Sequence, residues 1–417
     1  ESFQTYNRRV HLYIYWGSCG GSCPASARRG HAADIWETLK PFAVIDKAFF
    51  GGNNDIFAEA MALRRVSIYG SFGVLENAFY RKLAPKFWSF YPDVEHWADS
   101  YVSYVCSKVK GTRVAYADGE DIDGNPLNGQ ERKYGLMYSA DPLYPGLKRF
   151  YDLAKPALTE CLGQQLTEVS FPYAGYAKDL GGDPKKQGYA VDNVATMRSE
   201  RVNTVLWLGG METKTGFAAE SAQWFPEWVV AGDLVIDDLI NGREQNQKVW
   251  SHARVVSKQL REDSFQTTPG RRAFRDAEPD GRQIHEYYAN LYYRDLFTLF
   301  KAIQVAGPRL TPQAVDAGQH AIPRVRSTSP YVAACFYDPG DYSCVKDAHV
   351  AWWDPNAPDP NGEVGQGCWR LVQQGTRYLT GTWTQSRDDA PQGVTEPFVN
   401  GANDPCNGLK GAVYNRL

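Results

Sequence analysis

The stretch Lys133-Tyr134-Gly135-Leu136-Met137-Tyr138-Ser139-Ala140-Asp141-Pro142-Leu143-Tyr144-Pro145-Gly146 decides how this chain folds. It reads as a short buried strand holding Leu136 and Met137, then a turn, then a helix running to about Cys161. Pro145 stands where a first-turn proline belongs, because a helix start has no use for its missing N–H, and Gly146 opens the helix. In open α/β sheets, ligands collect outside the carboxyl ends of strands. Tyr138, Asp141 and Tyr144 therefore stand where a small molecule would be held.

The same unit recurs on both sides. Thr204-Val205-Leu206-Trp207-Leu208 is a second apolar run, closed by Gly209-Gly210 and followed by a helical pattern from about Thr213 to Gln223. Trp228-Val229-Val230-Ala231 is a third, closed by Gly232-Asp233. Upstream, Phe42-Ala43-Val44-Ile45 and Ala48-Phe49-Phe50 lead into Gly51-Gly52-Asn53-Asn54, and Val66-Ser67-Ile68-Tyr69 into Gly70-Ser71-Phe72-Gly73. Apolar strands alternating with helical patterns mean βαβ units and a parallel sheet. Runs that are continuously apolar, rather than alternating, fit strands covered on both faces.

The chain has 417 residues, room for two or three domains at roughly 100–200 residues each. A net charge of −3 sets up no global field toward nucleic acid or an anionic membrane, so neither is an expected partner. The short basic clusters Arg8-Arg9, Arg28-Arg29 and Arg271-Arg272 read as solvated faces. No apolar run approaches the ~20 residues of a membrane helix, and residue 1 already lies in polar sequence, so no signal peptide is expected within it. The 25 Tyr, 19 Phe and 12 Trp supply core, with some expected to line a ligand cleft.

Eight cysteines are an even count. None forms C-x-x-C and no histidines stand at zinc spacing, so no metal is expected and disulfides in an oxidising, extracellular or cell-surface compartment are the better reading. About a hundred pairings are open to eight cysteines. Local spacing favours Cys19–Cys23, Cys106–Cys161, Cys335–Cys344 and Cys368–Cys406.

A helix over Val94 to Lys110, with Trp97, Tyr101, Tyr104 and Val105 as core, precedes a polar Gly/Asp/Asn-rich connection from Gly111 to Arg132. The longest helix is expected over Ile284 to Ala306, with Tyr288, Leu291, Tyr292, Leu296, Leu299, Phe300 and Ile303 as its stripe and Gly307-Pro308 as its stop. Thr311-Pro312 starts another as cap and first residue. Ala351-Trp352-Trp353-Asp354 and Cys368-Trp369-Arg370-Leu371-Val372 read as strands, and the tail as loop.

In order and spacing, these signals resemble the type I periplasmic binding proteins, the solute receptors of branched-chain-amino-acid-type ABC transporters, with an actinobacterial texture. The resemblance covers most of residues 1–375 and includes Pro85-Lys86-Phe87-Trp88-Ser89-Phe90, where the family has a strand before a long helix. It implies an α/β protein of two Rossmann-like lobes with parallel central sheets, closing over a ligand by hinge motion. The N-terminal lobe is expected to comprise 1–132 and about 284–330, and the C-terminal lobe 133–283 and about 331–380, with 381–417 a loop-like tail. One departure stands out. Phe3-Gln4-Thr5-Tyr6-Asn7-Arg8-Arg9-Val10 looks like the lead into the family's second strand, so the opening strand–helix unit is expected to be missing.

Carried over by position, the first-lobe contacts would be Gly51, Gly52, Asn53, Ser71 and Phe72, where backbone N–H groups and the Ser71 hydroxyl receive a carboxylate or similar group. The second-lobe contacts would be Tyr138, Asp141, Tyr144, Gly209, Met211 and Asp233, with Tyr144 as aromatic wall and Asp233 or Asp141 holding an ammonium or hydroxyl. Turn formation alone explains the first set as well, and Asp141 could instead cap the following helix. The ligand expected is an amino acid, an amide or similar molecule, the partner an ABC transporter permease, with no cofactor. A second reading is a binding-protein fold reused for self-assembly through an exposed sheet edge. An enzyme is not expected. The seven histidines are scattered, with no G-x-S-x-G or H-E-x-x-H, and a carbohydrate-active carboxylate pair is the lesser alternative. The acidic loops Asp121/Asp123/Asn125 and Asp354/Asn356/Asp359/Asn361 read as solvated turns before calcium sites.

Overall fold

A computed structural model of the chain describes residues 3–19, 23–46, 53–70, 75–142, 144–172, 188–210, 212–232, 237, 239–258, 269–278, 286–324, 333–358 and 366–383. In chain order the elements are α1 (Ala25–Leu39), β1 (Ala43–Ile45), α2 (Asn54–Leu63), β2 (Ser67–Tyr69), α3 (Asn77–Leu83), β3 (Phe87–Trp88) and α4 (Val94–Tyr104). Next come β4 (Asp118–Gly119), β5 (Tyr134–Ser139), α5 (Pro145–Leu162), β6 (Thr167–Phe171), α6 (Gly188–Ser199), β7 (Thr204–Trp207) and α7 (Lys214–Ser221). The series ends with β8 (Trp224–Phe225), β9 (Glu227–Ala231), α8 (Leu239–Glu244), α9 (Gln247–Trp250), β10 (Ala253–Ser257), α10 (Pro269–Ala277), α11 (Glu286–Val305), α12 (Pro312–His320), β11 (Asp347–Pro358), β12 (Gln366–Leu371) and β13 (Tyr378–Leu379). No described helix is long and apolar enough to cross a membrane.

The chain divides into two compact units, one of Glu1–Glu95, Phe265–Arg326 and Ala334–Lys346, the other of His96–Ser264, Ser327–Ala333 and Asp347–Leu417. Residues 96–132, which the sequence groups with the first lobe, lie in the second unit. The cause is packing: the Trp97 ring lies 3.9 Å from Phe150 of α5, and Tyr101 donates from its hydroxyl to the Val229 carbonyl of β9 at 2.7 Å.

The second unit is built on one sheet of order β12-β11-β10-β9-β7-β5-β6, with β13 added to β11. The five strands from β10 to β6 are parallel, and β11 and β12 run antiparallel to them. β7, β9 and β10 are buried at every position, as continuous apolar runs under helices on both faces must be. Indole rings fill this core edge to face: Trp207 meets Trp228 at 5.8 Å and Trp250 at 5.5 Å, and Trp369 meets Trp353 at 5.3 Å. Such pairs contribute about 0.5–1.5 kcal/mol beyond the area they bury.

The amino ends of the strands are tied by charge. Glu227, at the start of β9, is fully buried and takes a two-pronged contact from Arg132 (2.8 and 3.2 Å) and one from Arg254 of β10 (3.0 Å). Backbone N–H groups of Ala115 (2.7 Å) and Tyr116 (3.0 Å) complete it, and Arg132 also donates to Thr204 Oγ1 at the start of β7. Burial alone would raise the Glu227 pKa, but the two guanidiniums and the N–H donors outweigh it and hold the carboxyl below its usual range.

The first unit holds a parallel sheet of order β1-β2-β3. Its core gathers Met61, Ile68, Tyr80, Phe87 and Trp88 with Leu299, Ala302 and Ile303 of α11. α12 begins as its residue types dictate: Thr311 Oγ1 accepts the Ala314 N–H at 3.1 Å and Pro312 follows it.

Cys19 is bonded to Cys23, Cys106 to Cys161 and Cys335 to Cys344. Cys368 is also disulfide-bonded, and Cys406 lies outside the described residues. With sequence separations of 4 and 55, the first two close loops worth about 2 and about 4 kcal/mol in the chain-entropy account.

Replacing Glu227 by Ala leaves two buried guanidiniums without their carboxylate. The expected loss is about 3–5 kcal/mol in urea unfolding, and a loss under 1 kcal/mol would show that the cluster does not hold the sheet. The depressed carboxyl also sets a pH window. Its contribution is complete above the unfolded value of about 4.3 and disappears as pH falls through the lower folded value.

Candidate functional site

The carboxyl ends of the second unit's parallel strands carry the polar residues. β5 runs into Asp141, which is buried, and the Asp141 N–H donates to Ser139 Oγ at 3.1 Å. The Asp141 carbonyl accepts the Tyr144 N–H at 3.2 Å, which folds the chain into the first turn of α5. Tyr144 is the residue before Pro145 and is half-buried. The Tyr138 ring stacks on Tyr151 of α5, centroids 3.9 Å apart. The Tyr151 hydroxyl donates to Glu168 and accepts from Lys155, and Lys155 pairs with Glu168 at 2.6 Å. Burial, then that carboxylate, pushes the Tyr151 pKa up to about 12.

β7 ends in Gly209 and Gly210, with φ of 75° and 80°, a left-handed pair that glycine tolerates. The Gly209 carbonyl accepts from Trp207 Nε1 at 3.0 Å. A Cβ on Gly210 would lie 3.2 Å from both Leu147 of α5 and Phe171 of β6, so only glycine lets the loop approach there. Beyond it Glu212 is buried, takes the Tyr189 hydroxyl at 2.8 Å, and accepts the N–H groups of Lys214 and Thr215 that open α7. Burial raises the Glu212 pKa against the opposing pull of those donors. At the next strand ends Asp237 is buried and accepts from Ser257 Oγ of β10 at 2.5 Å, and Lys258 donates to the His96 carbonyl at 2.6 Å.

The structure thus brings Asp141, Tyr144 and Gly209 to one end of the second sheet. Met211 and Asp233 lie outside the described residues, as do Gly51, Gly52, Ser71 and Phe72 of the first unit. Asn53 precedes α2 with φ of 51°, and its Nδ2 donates to the Cys23 carbonyl at 2.7 Å. Sequence reasoning missed Glu212 and Asp237. A Glu ahead of a Thr-led helix start is a readable signal for the first, since a carboxylate there meets the helix's unpaired N–H groups. Asp237 carries no comparable signal. Of the acidic loops, Asp121 spends its oxygens on the N–H groups of Asp123 and Asn125, both at 2.9 Å, and on Gln130 at 3.0 Å. Asp354 pairs with Arg370 at 2.6 Å, and Asp359 and Asn361 lie outside the described residues.

The fold is that of the type I periplasmic binding proteins. A possible leucine/isoleucine/valine-binding protein from Rhodopirellula baltica SH 1 matches over 83% of this chain and 82% of its own, with TM-score 0.54 and 11% identity. An ABC transporter substrate-binding protein of Aeropyrum pernix matches over 86% and 82%, with TM-score 0.55 and 12% identity. A solute-binding protein of an ABC transporter from Rhodopseudomonas palustris BisB5, in complex with 3,4-dihydroxybenzoic acid, matches over 86% and 84%, with TM-score 0.55 and 11% identity. At such identities the likeness is one of fold. No protein-family model and no curated protein matches the chain.

Gly210→Ala forces a side chain into a left-handed backbone between Leu147 and Phe171. A stability loss of about 1–2 kcal/mol is expected in thermal unfolding, and an unchanged midpoint would count against the close approach.

Proposed function

We propose that this chain is an extracytoplasmic solute-binding protein that captures a small polar or amphipathic molecule and delivers it to an ABC transporter permease. The observation that carries the reading is the gathering of Asp141, Tyr144 and Gly209 at the carboxyl ends of neighbouring parallel strands. That is where open α/β sheets take their ligands, and the fold is shared with solute-binding proteins of ABC transporters. The disulfides fit an oxidising compartment. The solute would be an amino acid, an amide or a similar molecule, bound and released unchanged. Buried carboxylates at the strand ends favour a ligand offering N–H or O–H donors.

The test is calorimetry against a panel of branched-chain amino acids, their amides and hydroxybenzoates, with product analysis of each mixture. One panel member should bind without turnover. Asp233→Ala and Tyr144→Ala should each weaken it roughly tenfold or more, the loss of about 1–3 kcal/mol for a buried polar contact, with unfolding midpoints retained. Unchanged affinity in both variants removes the site, and turnover of the bound molecule removes the receptor reading.

One observation favours a second reading, assembly. Leu12, Ile14 and Trp16 are 67%, 74% and 86% exposed within one apolar run of the first unit. Among the described residues β1 pairs with β2 alone, which leaves a sheet edge. If the chain assembles, size-exclusion chromatography will show large particles that Trp16→Asp disperses. A wild-type monomer at high concentration dismisses this reading.

A further inference from the structure

Cys19, Cys23 and His31 form a cluster that solute binding does not use. One ligand atom from each lies within 4.8 Å of the others. The two sulfurs are joined as a disulfide whose short loop stabilises the fold least by loop closure, since its sequence separation is the smallest of the three described pairs. We propose that this disulfide masks a metal site: once reduced, the Cys19 and Cys23 thiolates and the His31 imidazole bind one zinc ion.

Three features of the geometry support the assignment. The spacing Cys-x3-Cys lies within the range of paired cysteine ligands in zinc sites. Two sulfurs about 2.3 Å from a tetrahedral ion stand about 3.8 Å apart, within reach of cysteines whose Cα atoms are 5.3 Å apart.

The imidazole already lies against Gly17 and Ser18, beside Cys19. His31 Nε2 accepts the Ser18 N–H at 3.3 Å, a long hydrogen bond whose lone pair the ion would take in place of that N–H. Tyr15 packs edge-on against the ring at 5.8 Å, and a Cβ on Gly17 would sit 2.9 Å from its Cε1, so the ring has little room to turn.

The Cys23 end is also held without the S–S bond. Asn53 Nδ2 grips the Cys23 carbonyl at 2.7 Å, and the Pro24 carbonyl accepts the Arg28 N–H at 3.1 Å as α1 begins. Cys19 and His31 are half-exposed, so a small reductant and an ion can reach them.

The steps balance. A dithiol supplies two electrons and two protons to the S–S bond and closes to its own disulfide, leaving two thiols. Zinc then forms two S–Zn bonds and releases both thiol protons to solvent. Neutral His31 donates a lone pair, and water fills the fourth position.

The test uses the full chain, reduced with excess dithiol, desalted without oxygen and titrated with Co²⁺ as the probe. The reduced protein should bind one more equivalent than a Cys19→Ser/Cys23→Ser variant treated identically, with a sulfur-to-cobalt charge-transfer band that zinc bleaches. His31→Ala, which keeps both sulfurs, should lower cobalt affinity at least about tenfold. The unreduced protein should show no such band. A band undiminished in the double-serine variant belongs to other cysteines and overturns the proposal, as does one that ignores His31→Ala, or no band at all. If the double-serine variant does not fold, the His31→Ala titration decides alone.

Discussion

A single buried carboxylate sets the frame of the second unit. Glu227 joins Arg132 ahead of β5, Arg254 in β10, and the N–H groups of Ala115 and Tyr116. Through Arg132 the contact extends to Thr204 at the start of β7. A charge taken out of water is tolerable only when every lone pair is answered, so this cluster admits essentially one arrangement of strand starts. Parallel strands gain little from register alone where both faces are apolar, because sliding one strand along another exchanges one buried aliphatic for the next. Charge at the amino ends removes that freedom.

The consequence appears at the opposite ends. Strands fixed at their starts end at defined heights, and their tips can carry residues that do nothing for the core. The left-handed glycines Gly209 and Gly210 let the chain leave β7 close against Leu147 and Phe171. Glu212 then satisfies the opening N–H groups of α7 from within the loop. A carboxylate already seated there occupies the place where a helix start would otherwise attract an anion. That occupancy argues against capture of a phosphate at α7.

Legibility followed burial. β5, β7 and β9 were readable because continuous apolar runs closed by Gly or Asp leave few other interpretations. β6 was not: Glu168 and Ser170 interrupt it, and Glu168 finds its purpose only through Lys155 and Tyr151 across the sheet face. β10 hid because Arg254 looks like a solvated residue until Glu227 is placed beside it. α1 has few buried positions, Arg28 among them, so its sequence shows no apolar stripe. The position of Asp141, Tyr144 and Gly209 just past strand ends is legible from the apolar runs that precede them. The stacking of Tyr138 on Tyr151 is not legible, because nothing in the β5 run says which of its faces α5 covers.

The low identity to proteins of the same fold follows from what the fold demands. Its requirements are apolar runs of strand length, helices to cover both faces, and residues at the tips that permit sharp exits. Many side chains meet the first two, and here indoles meet them: Trp207, Trp228, Trp250, Trp353 and Trp369 touch edge to face where aliphatic residues would serve as well. Large rings fill volume in few positions, and a core packed near crystal density then accepts only neighbours cut to fit them. A sequence that commits to indoles must therefore change many positions together, while the order of strands and helices stays the same.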